Sequence, residues 1–519
     1  MEVHDSRGLP GFTIVGLPDA AVRESRDRVR AALLSSTFSW PQRRVTVNLA
    51  PTAMRKAGAG LDLPIALGVL VAIGELGPSA LDGAAFVGEL GLDGTLRHVP
   101  GTIALAEAVR ADRLVVPVCD LAEAGAVRPG CTFAMPSLRV LVETLRGTQP
   151  WPRPASEHHA ARPRSRIGGS PNDPSPEVGG VTAAGSAQVG AAGPVRILSR
   201  YGDLADVKGQ RVGRRAVEVA AAGGHHLLFV GPPGSGKSML AVRLAGLLPS
   251  LSRLEALEVT RIHSAAGLPT PDGGIMWEPP FRAPHHGAST VSLVGGGAAA
   301  MRPGEISLAT HGVLFLDEMG EFPAVVLDAL RQPLEEGVVR VSRARGTAEF
   351  PARFLLVGAM NPCPCGEGGL PGSCRCSPSA RARYTRRLSG PLLDRFDLVV
   401  PLRRTTADEL FAPSSGETTA AVAKRVASAR ALAQSRQLRC NAEIPASRLS
   451  VLAPLDPRAE SLLERGVRAG RLSGRGVDRV RRVARTIADL GGDDGALHEQ
   501  HVAEALALRA GREVLDLGR

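Results

Sequence analysis

The residues best equipped for chemistry form one short loop. Gly231, Pro232, Pro233, Gly234, Ser235, Gly236, Lys237 and Ser238 have the spacing G-x-x-x-x-G-K-S. The loop follows an apolar run, Leu227–Val230, and opens a helical pattern, Met239–Leu248, which Pro249 stops. That is the strand–loop–helix setting in which such a loop cradles phosphates. Glycines let backbone N–H groups approach phosphate oxygens, and the helix N-terminus adds a favourable dipole. Lys237 is spaced to reach the β- and γ-phosphates of ATP, and the Ser238 hydroxyl to ligate Mg²⁺.

A second apolar run, Val313–Leu316, ends in Asp317 and Glu318. An acidic pair at a strand end is common for structural reasons alone. Downstream of a phosphate loop it has a chemical reading: Asp317 completes the Mg²⁺ shell and Glu318 polarises the attacking water. A third run, Phe354–Val357, leads to Asn361, whose amide is placed to orient that water. The competing reading of Asn361 is a turn former before Pro362.

Cys363, Cys365, Cys374 and Cys376 fall within 14 residues, two C-x-C pairs around a Gly- and Pro-containing stretch. Four thiolates on a short loop satisfy tetrahedral Zn²⁺. C-x-C is a less typical knuckle than C-x₂-C, so free thiols and a disulfide stand as alternatives.

These groups need a scaffold, and the length of 519 residues allows two to four domains. Residues 1–146 alternate short apolar runs with helical patterns, as in Arg43–Leu49 followed by Leu61–Ile73. Residues 147–195 are rich in Pro, Gly, Ser and Ala and read as a flexible linker. Residues 196–404 read as α/β, their three uniformly apolar runs matching central strands of a parallel sheet. Residues 405–519 read as helical; the clearest helix, Arg475 to about Asp489, carries an apolar stripe of Val480, Val483, Ala484 and Ile487. The longest uncharged apolar stretch, Leu63–Gly74, is too short for a bilayer, so a cytoplasmic protein without a membrane partner is expected. Net charge is +11 with only 3% aromatic residues, so any nucleic acid would be held through phosphates more than stacked bases. Arginine-rich coding bias explains the same charge without a partner.

Further segments carry a family resemblance. Arg282–Ser289, Leu293–Gly297, Pro303–Ala309, His311–Glu318 and Ser389–Leu398 resemble the magnesium-chelatase-like AAA+ ATPases, and the whole chain resembles their ComM/YifB branch. The resemblance implies a P-loop AAA+ parallel-sheet core with a helical C-terminal lid. It also implies a ring, expected to be a hexamer, with ATP sites between subunits. Arg395 then matches the arginine finger, worth about 10³–10⁵ in rate where measured. Arg475 matches the sensor-2 arginine, with Arg479 as the fallback. Val338–Phe350 occupies the place of a pore-lining hairpin, making Arg343 and Arg345 candidates to grip DNA phosphates. Adjacent His285 and His286, on an extended segment, would point to opposite sides, which argues against a metal pair.

The first block is similar to the α+β fold of the Lon protease C-terminal domain (ribosomal S5 domain 2-like). Where that protease carries a Ser–Lys dyad, Lys56–Asp62 places no nucleophile and the region of Gly101-Thr102-Ile103 no lysine, so no acyl-enzyme can form. Family members usually carry a further strand before the segment matching Glu2–Ser6, so either the start is misassigned or the first sheet is a strand short. The expected activity is that of an ATP-driven translocase or branch-migration helicase acting on DNA in recombination or natural transformation. The alternatives are a chelatase-type motor and an ATPase that remodels a protein partner.

Overall fold

The computed structural model describes residues 1–6, 8–50, 58–156, 201–271, 274–297, 301–343, 346–368, 374–412 and 416–512. The chain divides into two compact units. The first comprises Met1–Arg162, Ser252–Trp277 and Gly297–Arg302; the second comprises Pro163–Leu251, Glu278–Gly296 and Pro303–Arg519.

In the first unit, strand Arg44–Asn48 lies between Glu2–Ser6, antiparallel to it, and Gly11–Val15, parallel to it. Its alternating valines, Val45 and Val47, face helices Ala20–Ser35 and Asp62–Ala72, which contribute Val22, Val29, Leu33, Leu67 and Leu70 to the same core. A second sheet, Ala84–Phe86, Arg113–Pro117 and Thr132–Met135, is parallel throughout. One carboxylate, Asp62, is wholly buried between these elements. It accepts from Arg28 Nε at 2.7 Å and from the Leu90 amide at 3.3 Å, and the Ser25 hydroxyl donates to its other oxygen.

Two segments join this unit against expectation. The start of the stretch read as a linker is packed. Ala155 is fully buried and exchanges backbone hydrogen bonds with Thr132 and Gly130, both 2.8 Å, while the Trp151 ring meets Phe133 at 5.2 Å and carries Arg113 at 4.8 Å. The Trp151 ring and the buried Ala155 anchor this proline-rich segment. Residues 157–195 of that stretch lie outside the described residues. The second is Ser252–Trp277, from the range read as ATPase. Its helix Arg253–Ala265 starts at a Ser252/Glu255 capping box and meets helix Thr102–Ala108 of the first block. Ser264 accepts from the Gly101 amide at 2.9 Å and donates to buried Glu123, and Arg261 pairs with Glu107 at 2.8 Å.

The second unit is built on a five-stranded parallel sheet in the order Phe281–Arg282, Val313–Leu316, Leu355–Met360, Leu227–Val230, Leu398–Pro401. The middle three strands are buried on both faces, which explains their unbroken apolar sequences. Helices Arg211–Gly223 and Lys237–Ala245 cover the sheet, and helices Thr419–Ser435, Pro457–Arg468, Gly474–Leu490 and Glu499–Ala507 share its core, joining Val426, Val480 and Ile487 to Phe229, Leu240 and Val217. Ser473 caps the helix Gly474–Leu490 at its start. The hairpin pairs Val338–Arg343 with Gly346–Pro351, antiparallel. Among the described residues no helix is long and apolar enough to cross a membrane.

The Asp62 pair gives a stability prediction. Replacing Arg28 by Met strands a fully buried carboxylate, which costs about 3–5 kcal/mol where one partner of a buried pair is removed. The full-length variant should therefore show a distinctly lower urea midpoint by tryptophan fluorescence, and the Arg28→Met/Asp62→Leu double variant should recover much of the loss.

Candidate active site

Three adjacent strands of the second unit end at one edge, each delivering one part of the site. Leu227–Val230 leads into the phosphate loop, its neighbour Leu355–Met360 into Asn361, and the next, Val313–Leu316, into Asp317 and Glu318. Ligands of open α/β sheets bind at this carboxyl edge. The loop is pinned at its start, where the Gly231 amide donates to Met360 O at 3.1 Å. A side chain at Gly231 would stand 2.5 Å from Leu402 O, so only glycine fits. Gly234 and Gly236 hold left-handed φ of 76° and 83°, the conformations that turn successive N–H groups toward one point. Gly236 caps the helix Lys237–Ala245 without a side chain, leaving its first amides free to meet an anion.

Lys237 lies inside this loop. Its ammonium donates to Gly231 O at 2.7 Å, Pro232 O at 2.9 Å and Asn361 Oδ1 at 3.1 Å. Burial holds its pKa below the ordinary value, with Asp317 and Glu318 acting in the opposite direction. Ser238 Oγ donates to Asp317 Oδ2 at 2.7 Å, so the hydroxyl and carboxylate converge as two hard oxygen ligands of the kind Mg²⁺ takes. Glu318 follows with φ of 50°, left-handed for a non-glycine residue, and its amide donates to Asp317 Oδ1 at 2.9 Å. Its carboxylate is exposed and lies 3.2 Å from His286 Nδ1.

Beside the loop, a cavity of about 890 Å³ is lined by residues of 207–212, by Pro401, Leu402 and Arg403, and by Glu409. Gln210 fixes its wall to the phosphate loop, its side-chain amide donating to Ser235 O at 3.0 Å and to Arg403 O at 2.6 Å. The volume suits a nucleoside. No motif announced it, because its lining is drawn from two stretches far apart in the chain, 207–214 and 401–416.

The four cysteines gather into one cluster, their sulfurs all within 4.8 Å of one another. Cys363 Sγ lies 3.3 Å from Cys365 and 3.7 Å from Cys374, and Cys365 lies 3.7 Å from Cys374. A tetrahedral zinc with Zn–S bonds of about 2.3 Å has S···S edges of roughly 3.8 Å, so the donor set fits that ion. Burial raises the Cys363 thiol, while the Glu367 amide lowers Cys365. The cluster leans on the phosphate loop: at Gly366, φ 81°, a Cβ would stand 2.6 Å from Pro233.

Arg395 belongs to a different neighbourhood. It ion-pairs with Glu335, not with either aspartate beside it in sequence, and its Nε is buried without a hydrogen-bond partner. Arg475 is exposed and near enough to depress the Arg395 pKa, burial being the larger cause. Asp394 pairs instead with Arg512. Asp397 accepts from the His226 amide at 3.3 Å and lies 3.5 Å from both His225 Nδ1 and Arg479 Nε. Arg479 is thereby committed to Asp397. Arg343 ends the first strand of the hairpin, opposite Gly346, while Arg345 lies outside the described residues.

Three family matches tile this architecture: Magnesium chelatase, subunit ChlI, over residues 203–410; Subunit ChlI of Mg-chelatase over 1–119; and the ChlI C-terminal region over 416–509. The chain belongs to the magnesium-chelatase ChlI family of AAA+ ATPases. Within it, the competence protein ComM of Haemophilus influenzae is 42% identical over 514 residues, 98% of this chain and 94% of that protein. The YifB protein of Escherichia coli is 42% identical over 519 residues, with coverage of 98% and 94%. The magnesium-chelatase 38 kDa subunit of Rhodobacter capsulatus is 30% identical over 152 residues, only 26% of this chain and 43% of that subunit. Similarity to ComM and YifB thus runs the length of this ATP-binding family member, while similarity to the chelatase subunit is partial.

One expectation is corrected. His285 and His286 do not point apart: their ring centroids lie 4.0 Å from each other. The segment is a turn closed by Ala288 N to His285 O at 2.8 Å, so the alternation of an extended strand does not apply. Missed altogether was the role of Asp397, whose partners come from 170 or more residues away in places and leave no local pattern.

The Asp397 network predicts an acid-sensitive fold. His226 Nδ1 accepts from the Leu356 amide at 3.0 Å, which requires that nitrogen unprotonated, and burial lowers the ring from 6.5 to about 4. The unfolded chain binds this proton first, so the stabilisation is complete above pH 6.5 and declines as pH falls toward 4. Asp397, held below the carboxylate range despite its burial chiefly by His225, adds a loss below about pH 4. Urea midpoints followed by circular dichroism should fall between pH 6.5 and 4, and a His226→Gln variant should show a shallower decline over the same interval.

Proposed function

We propose that this ATPase is a ring-forming, DNA-dependent translocase that remodels branched or single-stranded DNA during recombination or uptake. The observation carrying the ATPase half is the convergence of Lys237, Ser238, Asp317 and Asn361 at neighbouring strand ends. ATP places its phosphates along the Gly231–Ser238 loop and its nucleoside in the adjoining cavity. Ser238 and Asp317 would hold Mg²⁺, which would supply neutralisation of the charge developing on the phosphates. Glu318 accepts a proton from a water that attacks the γ-phosphorus as the bond to ADP breaks, and Asn361 orients that water. Arg395, with Arg475 nearby, reaches the γ-phosphate bound to an adjacent subunit of a hexameric ring. In one isolated subunit Arg395 rests on Glu335, as a group awaiting another partner would.

The DNA half is supported by full-length similarity to a protein named for competence and by the net charge of +11. Arg343 and Arg345 at the hairpin tip are the proposed phosphate contacts. The cysteine cluster is proposed to hold structural Zn²⁺, stiffening the turn against Pro233 and after Asn361. A chelatase-type role has less support, because the chelatase subunit resembles only 26% of the chain. Remodelling of a protein partner is the reading left if DNA has no effect.

Turnover of ATP should rise on adding forked or four-way DNA, and both binding and stimulation should weaken steeply with salt. Absence of binding and stimulation at low salt would remove the DNA reading and favour a protein partner. Lys237→Ala should lose ATP binding; Glu318→Gln should keep it and lose about 10²–10⁴ in kcat. Metal analysis should find about one zinc per chain, reduced in Cys363→Ser; equal zinc in both would reject the clip.

A further inference from the structure

The stretch between Glu367 and Asp394 holds five arginines and no acidic residue. Four of them, Arg375, Arg381, Arg383 and Arg386, are exposed and, among the described residues, meet no carboxylate. Other exposed arginines of the second unit are paired, as Arg340 is with Glu336 and Glu349, and Arg403 with Glu409. We propose that these four arginines form a binding surface for the phosphodiester backbone of DNA, separate from the hairpin at Arg343, an inference that rests on the DNA reading above.

The surface is built on helix Pro378–Thr385. Ser377 caps it, accepting from the Ala380 amide at 3.2 Å, and Pro378 opens its first turn. Tyr384 and Thr385 are buried, so Arg383 and Arg386, three apart, share the opposite, exposed face. The helix dipole favours cations at the C-terminal end and so accounts for those two alone. Arg375 and Arg381 lie toward the other end, where the dipole opposes them and no ion pair compensates. An external polyanion supplies the missing counter-charge for all four. Arg375 stands between Cys374 and Cys376, so the cysteine cluster carries it. Tyr384, the one aromatic residue of the stretch, is buried, which leaves a surface that can grip charge but cannot stack bases. Its contacts are therefore indifferent to base sequence.

The helix is also fastened to the turn that follows the acidic pair. A side chain at Gly320 would stand 2.3 Å from the Tyr384 ring, and Arg387 donates to Gly320 O at 2.7 Å and to Glu321 at 3.0 Å. A strand held on this helix is thus linked to the backbone just beyond Glu318.

The test follows binding of a labelled, mixed-sequence single strand to the full-length protein by fluorescence anisotropy across a salt series. Arg381, Arg383 and Arg386 are replaced together by Gln, or together by Lys. A control replaces Arg465, Arg468 and Arg471, which are equally exposed, by Gln. The first glutamine variant should bind about tenfold or more weakly at low salt, with a log–log salt slope shallower by about 2, from roughly 0.7 per contact on single strands. The loss should be the same on a thymine homopolymer. The lysine variant keeps the charges and should bind close to wild type, as should the control. A glutamine variant at 381, 383 and 386 that binds like wild type, with an unchanged slope, overturns the surface and leaves the DNA reading standing. So does an equal loss in the control, which would make bulk charge the cause, or a lysine variant as weak as the glutamine one. Displacement of the strand by polyglutamate as readily as by unlabelled DNA would assign the patch to an acidic protein and overturn it too. Wild type that binds no DNA at low salt sinks the DNA reading itself, and this surface with it.

Discussion

The second unit is organised around one buried positive charge. The Lys237 ammonium has left bulk water and is held by two carbonyl oxygens of its own loop and the amide oxygen of Asn361. A buried ammonium is tolerated only when its donors are met. Each partner therefore constrains something else: Gly231 ties the loop to Met360, and Asn361 ties it to the strand that separates the loop from Asp317. In the proposed ATP site the same charge would attract the phosphates. There phosphate oxygens would replace the internal acceptors, at a reduced desolvation cost because the ammonium is already largely buried.

Around that charge the site is layered. Ser238 and Asp317 are the oxygen pair proposed for a divalent cation, Glu318 stands outside it with one oxygen 3.2 Å from His286 Nδ1, and the cysteine turn packs against Pro233. A separate group, Arg395 and Arg475 with the Asp397 network beneath, is fastened to the helical region through Arg479 and to the sheet through His225 and His226. Helix Gly474–Leu490 thus carries both an exposed arginine and the residue that steadies the Arg395 loop. In the proposed ring, a movement of this helix would carry Arg395, the proposed arginine finger, with it.

Much of this was legible in the sequence where chemistry imposes a local pattern. The uniformly apolar runs at 227–230, 313–316 and 354–357 read as buried parallel strands because a strand covered on both faces has no reason to alternate. The phosphate loop was legible because glycine spacing is dictated by the backbone geometry it must adopt. What escaped was whatever depends on distant residues meeting. Asp397 reaches partners at 225, 226 and 479. The nucleoside-sized cavity is lined by residues of 207–214 and 401–416, two stretches far apart in the sequence. Residues 252–277, contiguous with the ATPase sequence, pack on the first unit through Ser264 and Arg261, whose partners lie more than 140 residues earlier. The histidine pair, set between Pro284 and Gly287, folds into a turn that strand alternation cannot describe.

The most direct measurement of the central claim is a structure of the assembled protein with Mg²⁺ and a non-hydrolysable ATP analogue. The account predicts Lys237 Nζ turned from Gly231 O and Pro232 O to the β- and γ-phosphates, Mg²⁺ on Ser238 Oγ beside Asp317, and Arg395 of an adjacent subunit at the γ-phosphate. Nucleotide bound elsewhere, with Lys237 still on its two carbonyls, would contradict it.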